Sequence, residues 1–437
     1  MRLSSIPIPR LVAITGGVYF AAILVLVVTQ TPIGTPLFFA TFAAGAAAYA
    51  VMVARVWNAP DVRGGAMLAA LLLAVLFRIP PAVAPVGSDS DMVRYLWDGR
   101  VQQLGYNPYE VLPADPALAH THNAETASMP SRRHRTPYPP GAQLFFRLIV
   151  AIVNSRLGMK LALVTCDLLT VAILWKWLER TGRNRWLTLA YAWHPLVIFE
   201  VAHSGHIDAL GAVWLAAAAY WLSCRRTALA SCAFVLAVAT KLLPIVLAPL
   251  FFRRVRARDV VLAGAMGLVL SLPYASDGRL PLGSVPNVVE HFRFNGPAFR
   301  AAAWISSPQG AAGVAVLLGL ACAIWARWRL AAEDPAAWAW PMAVALLAAP
   351  VIYPWYLLYL TPFLFTPATL PLTVWSLSVV PVYLVWHLAR LGGRWAVPPP
   401  ILWLEYGALA AACAILLAQW AAQRRRSTRL PAASQPS

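Results

Sequence analysis

Apolar residues run through this chain in long blocks, among them Leu11–Val28, Ala66–Leu76, Val261–Leu272 and Ile401–Trp420. Several approach the roughly 20 residues needed to cross a hydrocarbon core. Backbone polar groups in lipid must pair within their own segment, so such blocks read as helices. They lack the polar alternation of a membrane β-barrel. The pattern predicts spans near 11–30, 35–56 and 65–86, and on the order of 12–14 in all. Ala142–Val153 is short and carries Arg147, so it is expected to dip into the membrane and return. The stretches 228–240 and 243–252 read as a compressed pair hinged at Lys241–Pro244. The fold class is therefore an all-α integral membrane protein, with one polytopic domain over 1–423. A basic, then Ser/Pro-rich tail over 424–437 is expected to be disordered and cytoplasmic. One polar segment is out of scale with the other loops: Gly87–Pro140.

Composition sharpens the membrane assignment. Of 437 residues 60% are hydrophobic and 12% charged, against roughly a quarter charged in soluble domains. So few charges would not cover a water-facing surface. The net charge of +18 would suggest nucleic acid in a soluble protein. Here the arginines sit in short loops between apolar blocks, at Arg55/Arg63, Arg225/Arg226 and Arg253–Arg258. That is the positive-inside pattern, so no nucleic-acid partner is expected. Arg2/Arg10 and Arg424–Arg426 place both termini inside, and three spans then deliver Gly87–Pro140 outside. A dip at Ala142–Val153 puts the loop Glu179–Arg185 inside with the other arginines. The five cysteines lie in or beside apolar blocks and show neither a disulfide framework nor a zinc cluster.

Six of the 17 acids lie in the Gly87–Pro140 loop. Asp89 and Asp91 stand at its first turn, where a span meets the outer face. A carboxylate beside an apolar wall there suits general-base work. The loop continues through Arg94, Tyr95, Trp97, Asp98 and Arg100 to Asn107-Pro108-Tyr109, and closes at Tyr138-Pro139-Pro140. Its aromatic residues suit helices lying on the membrane face, with Trp97 and the tyrosines at the interface.

A second polar hairpin carries His194, Glu200, His203, His206 and Asp208. Its His-x-x-His-x-Asp spacing suits substrate or phosphate contact, a metal site or a structural hairpin. The residue after His203 is Ser204, not the glutamate of the zincin pattern. Asp167 and Lys241 are ionisable groups in apolar surroundings and are functional candidates for that reason. Lys241 suits a lipid phosphate as a point charge. Later outer segments bring His291, Asn295, Tyr353 and Trp355 to the same side.

In order along the chain, this set resembles a known family. Asp91-x-x-Arg94-Tyr95-x-Trp97-Asp98-Gly99-Arg100, Asn107-Pro108-Tyr109 and Tyr138-Pro139-Pro140-Gly141 are similar to the first external loop of GT-C glycosyltransferases. The closest group is the α-1,6-mannosyltransferase-like, family 87-like enzymes that use polyprenyl-phosphate sugars. His194-Pro195, Glu200, Gly205-His206-x-Asp208, Lys241-x-x-Pro244, Phe294-Asn295-Gly296 and Tyr353-Pro354-Trp355-Tyr356 continue the resemblance to about Pro362. The resemblance implies a GT-C bundle in a bacterial-type inner membrane. It also implies transfer of a hexose, mannose first, from a polyprenyl-phosphate donor to a glycolipid or glycan acceptor at the outer face. The base is an aspartate of the first loop, Asp91 by position, with Asp89 sharing or exchanging the role because Ser90 replaces the usual second acid. No cofactor is implied, and no metal is assigned. Substrate contacts fall to Arg94, Tyr95, Asp98, Arg100, Tyr138, Glu200, His203, His206, Asp208, Lys241, His291, Asn295, Tyr353 and Trp355. The competing class is a secondary transporter or glycolipid flippase, which shares broken helices and buried charges but usually carries an internal repeat not seen here.

Overall fold

The computed structural model describes residues 6–60, 64–85, 90–127, 129, 131–276 and 281–427. Asp89 lies outside them. The chain begins with α1 (Ile8–Val28), α2 (Pro36–Val56), α3 (Gly65–Leu76) and α4 (Ile79–Val83). The polar segment holds α5 (Ser90–Gln103) and a short α6 (Ala124–Ala127), and α7 (Pro140–Ile152) and α8 (Arg156–Arg180) follow it. Next come the short α9 (Leu189–Ala192) and α10 (Pro195–Val197), then α11 (Asp208–Ser223), α12 (Thr227–Thr240) and α13 (Ala257–Ser271). The remainder is α14 (Val285–His291), α15 (Pro297–Ile305), α16 (Pro308–Arg329), α17 (Pro335–Leu347), α18 (Leu370–Ser378), α19 (Leu384–Arg390) and α20 (Pro399–Ser427).

Local chemistry sets these ends. Thr35, Ser155, Ser307 and Asp334 cap α2, α8, α16 and α17 by accepting backbone N–H bonds. Proline opens α1, α2, α7, α16 and α17, where its missing N–H costs nothing. One isolated bridge joins Phe294 to Val351.

Among the described residues eight helical stretches are long and apolar enough to cross a membrane, and α7, α12 and α17 are shorter apolar helices. The expected 12–14 spans are therefore not all single long helices. Other passes are broken: a π-helix at Ile198–His203, and 3-10 turns at Leu243–Phe251 and Pro354–Tyr359. Prolines 244, 249 and 354 remove ladder donors in these stretches. The tail also differs from expectation. α20 continues through the basic run to Ser427, because glutamine and arginine are good helix formers.

The arginine-bearing loops gather at one end. Asn184 bonds the carbonyls of Val56 and Ala59, Arg254 bonds that of Leu330, and Arg327 bonds that of Phe252. The loop after α8 joins this group, as a returning α7 requires. The polar segment and the turns before α11 and after α12 and α17 meet at the opposite end.

A buried ion pair ties the first bundle together. Arg78 binds both carboxylate oxygens of Asp167 on α8 and donates to the carbonyls of Ala74 and Ala192, at 2.6 and 2.9 Å. Both side chains are essentially inaccessible. Asp167 is thus a structural partner and not a free functional acid. No local pattern marks Arg78, 89 residues earlier, as its mate.

The polar segment is a packed layer, not a pair of interfacial helices. Trp97 and Tyr95 are fully buried, and Trp97 Nε1 donates to Thr121 Oγ1 at 2.9 Å. The segment had enough internal polar partners to fold over the bundle. α5 lies directly on α7. At Gly99 a Cβ would stand 2.6 Å from the Phe146 carbonyl oxygen and from Val150 Cγ2. Gly99→Ala is therefore expected to part the helices and cost about 1–3 kcal/mol, the usual range for overpacking. Thermal unfolding in detergent would show it, and an unchanged midpoint would contradict the close approach.

Candidate functional site

Asp91 sits in the first turn of α5 and is half-buried. Tyr95 follows one turn later on the same face. Its hydroxyl accepts the Ile207 N–H at 3.3 Å, and its ring stacks on Phe146 and meets Tyr138 edge-on at 5.1 Å. Burial pushes the phenols of Tyr95 and Tyr138 well up, and the Asp91 carboxylate adds to both. Asp91 is also within electrostatic reach of Asp208 and Tyr356. Three segments far apart in sequence, carrying Tyr138, Asp208 and Tyr356, thus come within electrostatic reach of one carboxylate on α5.

Asp208 opens α11 and is completely buried. Lys241, at the end of α12, grips it with Nζ 2.6 and 2.8 Å from the two carboxylate oxygens. The same ammonium lies 4.0 Å from the centre of the Tyr356 ring. Lys241 is at this place because α12 stops one residue earlier and the chain turns at Pro244. A second ammonium lies close by. Lys160 Nζ donates to the carbonyls of Pro81 and Ala84, both at 2.9 Å, and its charge acts on His203. Lys160 is not among the residues singled out from the sequence. The signal was there, in a lysine near the start of a 25-residue apolar helix.

The wall behind is a chain of paired side chains. Tyr383 bonds Glu200, Glu200 lies 2.9 Å from His206 Nδ1, and His206 stacks on Trp355 with centroids 4.1 Å apart. Tyr353 stacks on Trp355 at 4.4 Å. Trp355 therefore has a ring on each side and no free face for a sugar. The accessible groups at the front are Asp91, Lys241, Tyr353 and Tyr356, all half-buried. Gly205 makes the turn into His206 with φ +74°, and a Cβ there would collide with Met92, the residue after Asp91. His203 stacks on Phe199, its Nδ1 and the adjacent Ser204 hydroxyl being buried without a hydrogen-bond partner. His203, His206 and Asp208 do not converge on a common point. Among the described residues no cluster of three His, Cys, Asp or Glu could hold a metal.

Several expected contacts belong to the framework instead. Arg94 binds Asp98 at 2.7 Å and the His134 carbonyl at 2.9 Å. Gln143 Nε2 donates to the other Asp98 oxygen at 2.8 Å. These two charges satisfy one another inside the folded loop. Arg100 holds the Thr121 carbonyl and reaches Asn154. Asn295 donates to buried Glu405 on α20, which also accepts from Trp375 at 2.8 Å. That bond, with the Phe294–Val351 bridge, sets Phe294 against Tyr353 at 4.6 Å. His291 is exposed and faces a carbonyl of its own helix. Arg94, Asp98, Arg100 and Asn295 shape the site from outside it, and His291 is not brought to it.

Comparison with known proteins decides between an enzyme and a transporter. Residues 11–256, more than half of the chain, match the family described as alpha-(1->6)-mannopyranosyltransferase, N-terminal domain. The matched region holds Asp91, Lys160, His206, Asp208 and Lys241, though not the Tyr353–Tyr356 turn. No curated protein and no solved structure matches the chain. The chain belongs to the alpha-(1->6)-mannopyranosyltransferase family, and it is a membrane glycosyltransferase that transfers mannose.

Proposed function

We propose that the enzyme takes mannose from a polyprenyl-phosphate donor and passes it to a hydroxyl of a glycolipid or glycan acceptor at the outer face, with Asp91 as base. The observation that carries this is a half-buried carboxylate, Asp91, within electrostatic reach of the Asp208 that Lys241 grips, at one end of a membrane bundle. The donor's leaving group is a phosphate already ionised. It needs positive charge more than a proton, and the half-buried Lys241 supplies it. Asp91 Oδ takes the proton of the acceptor hydroxyl, the freed oxygen attacks C1, and the C1–O bond to phosphate breaks with inversion. Preorganised charge of this kind acts strongly where water is excluded. Tyr356 offers the part of its ring that Lys241 leaves open to the sugar, and the Tyr383–Glu200–His206–Trp355 chain, with Tyr353 stacked on Trp355, forms the wall behind it. The loops that join α2 to α3 and α12 to α13 belong to the arginine-rich end, which the positive-inside rule puts in the cytoplasm, so the site faces out.

A donor test separates this from use of a soluble sugar nucleotide. The purified enzyme in lipid nanodiscs would receive radiolabelled polyprenyl-phosphate mannose or nucleoside-diphosphate mannose, each with a mannosylated glycolipid acceptor. Label should reach the acceptor from the polyprenyl donor alone. Transfer from the nucleotide with none from the polyprenyl donor would overturn the reading.

A further inference from the structure

The end of the bundle away from the site carries a cavity of about 840 Å³. Its lining includes six arginines: Arg225, Arg226, Arg253, Arg254, Arg256 and Arg258. Two acids accompany them, Asp259 and Glu333. Asp259 is committed elsewhere, accepting from Thr227 Oγ1 at 2.6 Å and from the Arg256 amide at 3.0 Å. Among the described residues one of the six arginines is within ion-pair distance of a carboxylate, Arg258 at 3.7 Å from Asp259. A smaller cavity of about 300 Å³, lined by Arg180 and Arg183, shares Glu333. Six arginines against two acids thus concentrate a net positive charge in a concave place. Burial, with Arg327 adding to it, pushes the Arg254 guanidinium down, a cost that a bound anion would offset.

Topology alone explains arginines in these loops. It does not require that two separate loops fold six of them around one hollow, with a third loop, Ala331–Glu333, at its edge. The rim says what kind of anion fits. Leu229, Phe252, Val260, Val261 and Trp328 are exposed beside the cavity, on the lipid-facing surfaces of the segments that form it. A molecule with a phosphate head and apolar chains matches both parts, and basic pockets between membrane helices hold such heads.

We propose that this cavity binds the phosphate headgroup of an anionic phospholipid of the cytoplasmic leaflet, with the acyl chains lying on the apolar rim. The site is separate from the transfer site and does not rest on the donor assignment. In the test, the full-length enzyme in detergent is titrated with phosphatidylglycerol, phosphatidylcholine or inorganic pyrophosphate, and bound lipid is counted by native mass spectrometry. Phosphatidylglycerol should bind in preference to phosphatidylcholine. Arg225→Gln/Arg253→Gln/Arg256→Gln should weaken it by about a hundredfold, from roughly a kcal/mol per basic group. The matching Arg→Lys triple variant should retain most of the binding. Both triple variants should keep the wild-type melting temperature without lipid and the basal transfer rate. Equal binding of both lipids, or binding unchanged in the glutamine variant, would overturn the proposal. So would pyrophosphate displacing phosphatidylglycerol and raising the melting temperature as far as the lipid does, since the site would then take a free anion.

Discussion

Exchanging Lys241 for glutamine is expected to remove nearly all mannosyl transfer. Lys241 holds both oxygens of Asp208 and lies over Tyr356. Its loss has two effects with different signatures. The first is structural: Asp208 is fully buried and would keep an uncompensated charge. Removing one partner of a buried pair costs about 3–5 kcal/mol. The lower end fits here, because the lysine side chain is 21% exposed. The second effect is chemical. Without the cation the departing phosphate loses its stabilisation, and one preorganised group is worth about 10²- to 10³-fold in rate. The double variant Lys241→Gln/Asp208→Asn separates the two. It replaces the pair with neutral groups of similar shape, so its melting temperature should recover most of the loss. Its transfer rate should stay down by the chemical factor. A double variant that transferred at the wild-type rate would place the phosphate elsewhere.

Arg78→Met is expected to have the largest effect on stability alone. The guanidinium has Asp167 on one side and the carbonyls of Ala74 and Ala192 on the other. Methionine leaves Asp167 buried, charged and unpaired, at about 3–5 kcal/mol. Arg78→Met/Asp167→Asn should regain much of this, since an uncharged polar group is far cheaper to bury than a lone charge. Neither residue touches the site, so the rate per folded molecule should hold in the double variant. Thermal unfolding of the three proteins in one detergent checks this. A single variant that melted with the wild type would mean that the pair holds nothing together.

The membrane architecture was legible because burial in lipid writes itself as uninterrupted apolar blocks. The hinge at Lys241–Pro244 was legible for the same reason, since proline leaves a visible mark. The end shared by the arginine loops followed from the charge rule. Side-chain commitments were not legible. Arg94 and Asp98 were expected as substrate contacts because they belong to the motif that begins at Asp91, yet they bind one another, and Gln143 and His134 bind them in turn. Trp355 looked like a sugar platform, and only its stacking on both His206 and Tyr353 shows that its faces are taken. Asn295 owes its place to Glu405, 110 residues later. Long-range pairings of this kind leave no periodic trace in one sequence. Lys160 was overlooked because its partners are backbone carbonyls, which have no signature in residue type.

The central claim is that the acceptor proton goes to Asp91. The most direct measurement is the transfer rate of Asp91→Asn against polyprenyl-phosphate mannose over a range of donor concentrations, with Asp89→Asn alongside. Asparagine keeps the shape and removes the base, which is worth about 10²- to 10⁴-fold. The account predicts a fall in kcat of that size with the donor KM unchanged, and a rate near wild type for Asp89→Asn. Wild-type kcat in Asp91→Asn, or the full loss in Asp89→Asn instead, would contradict it.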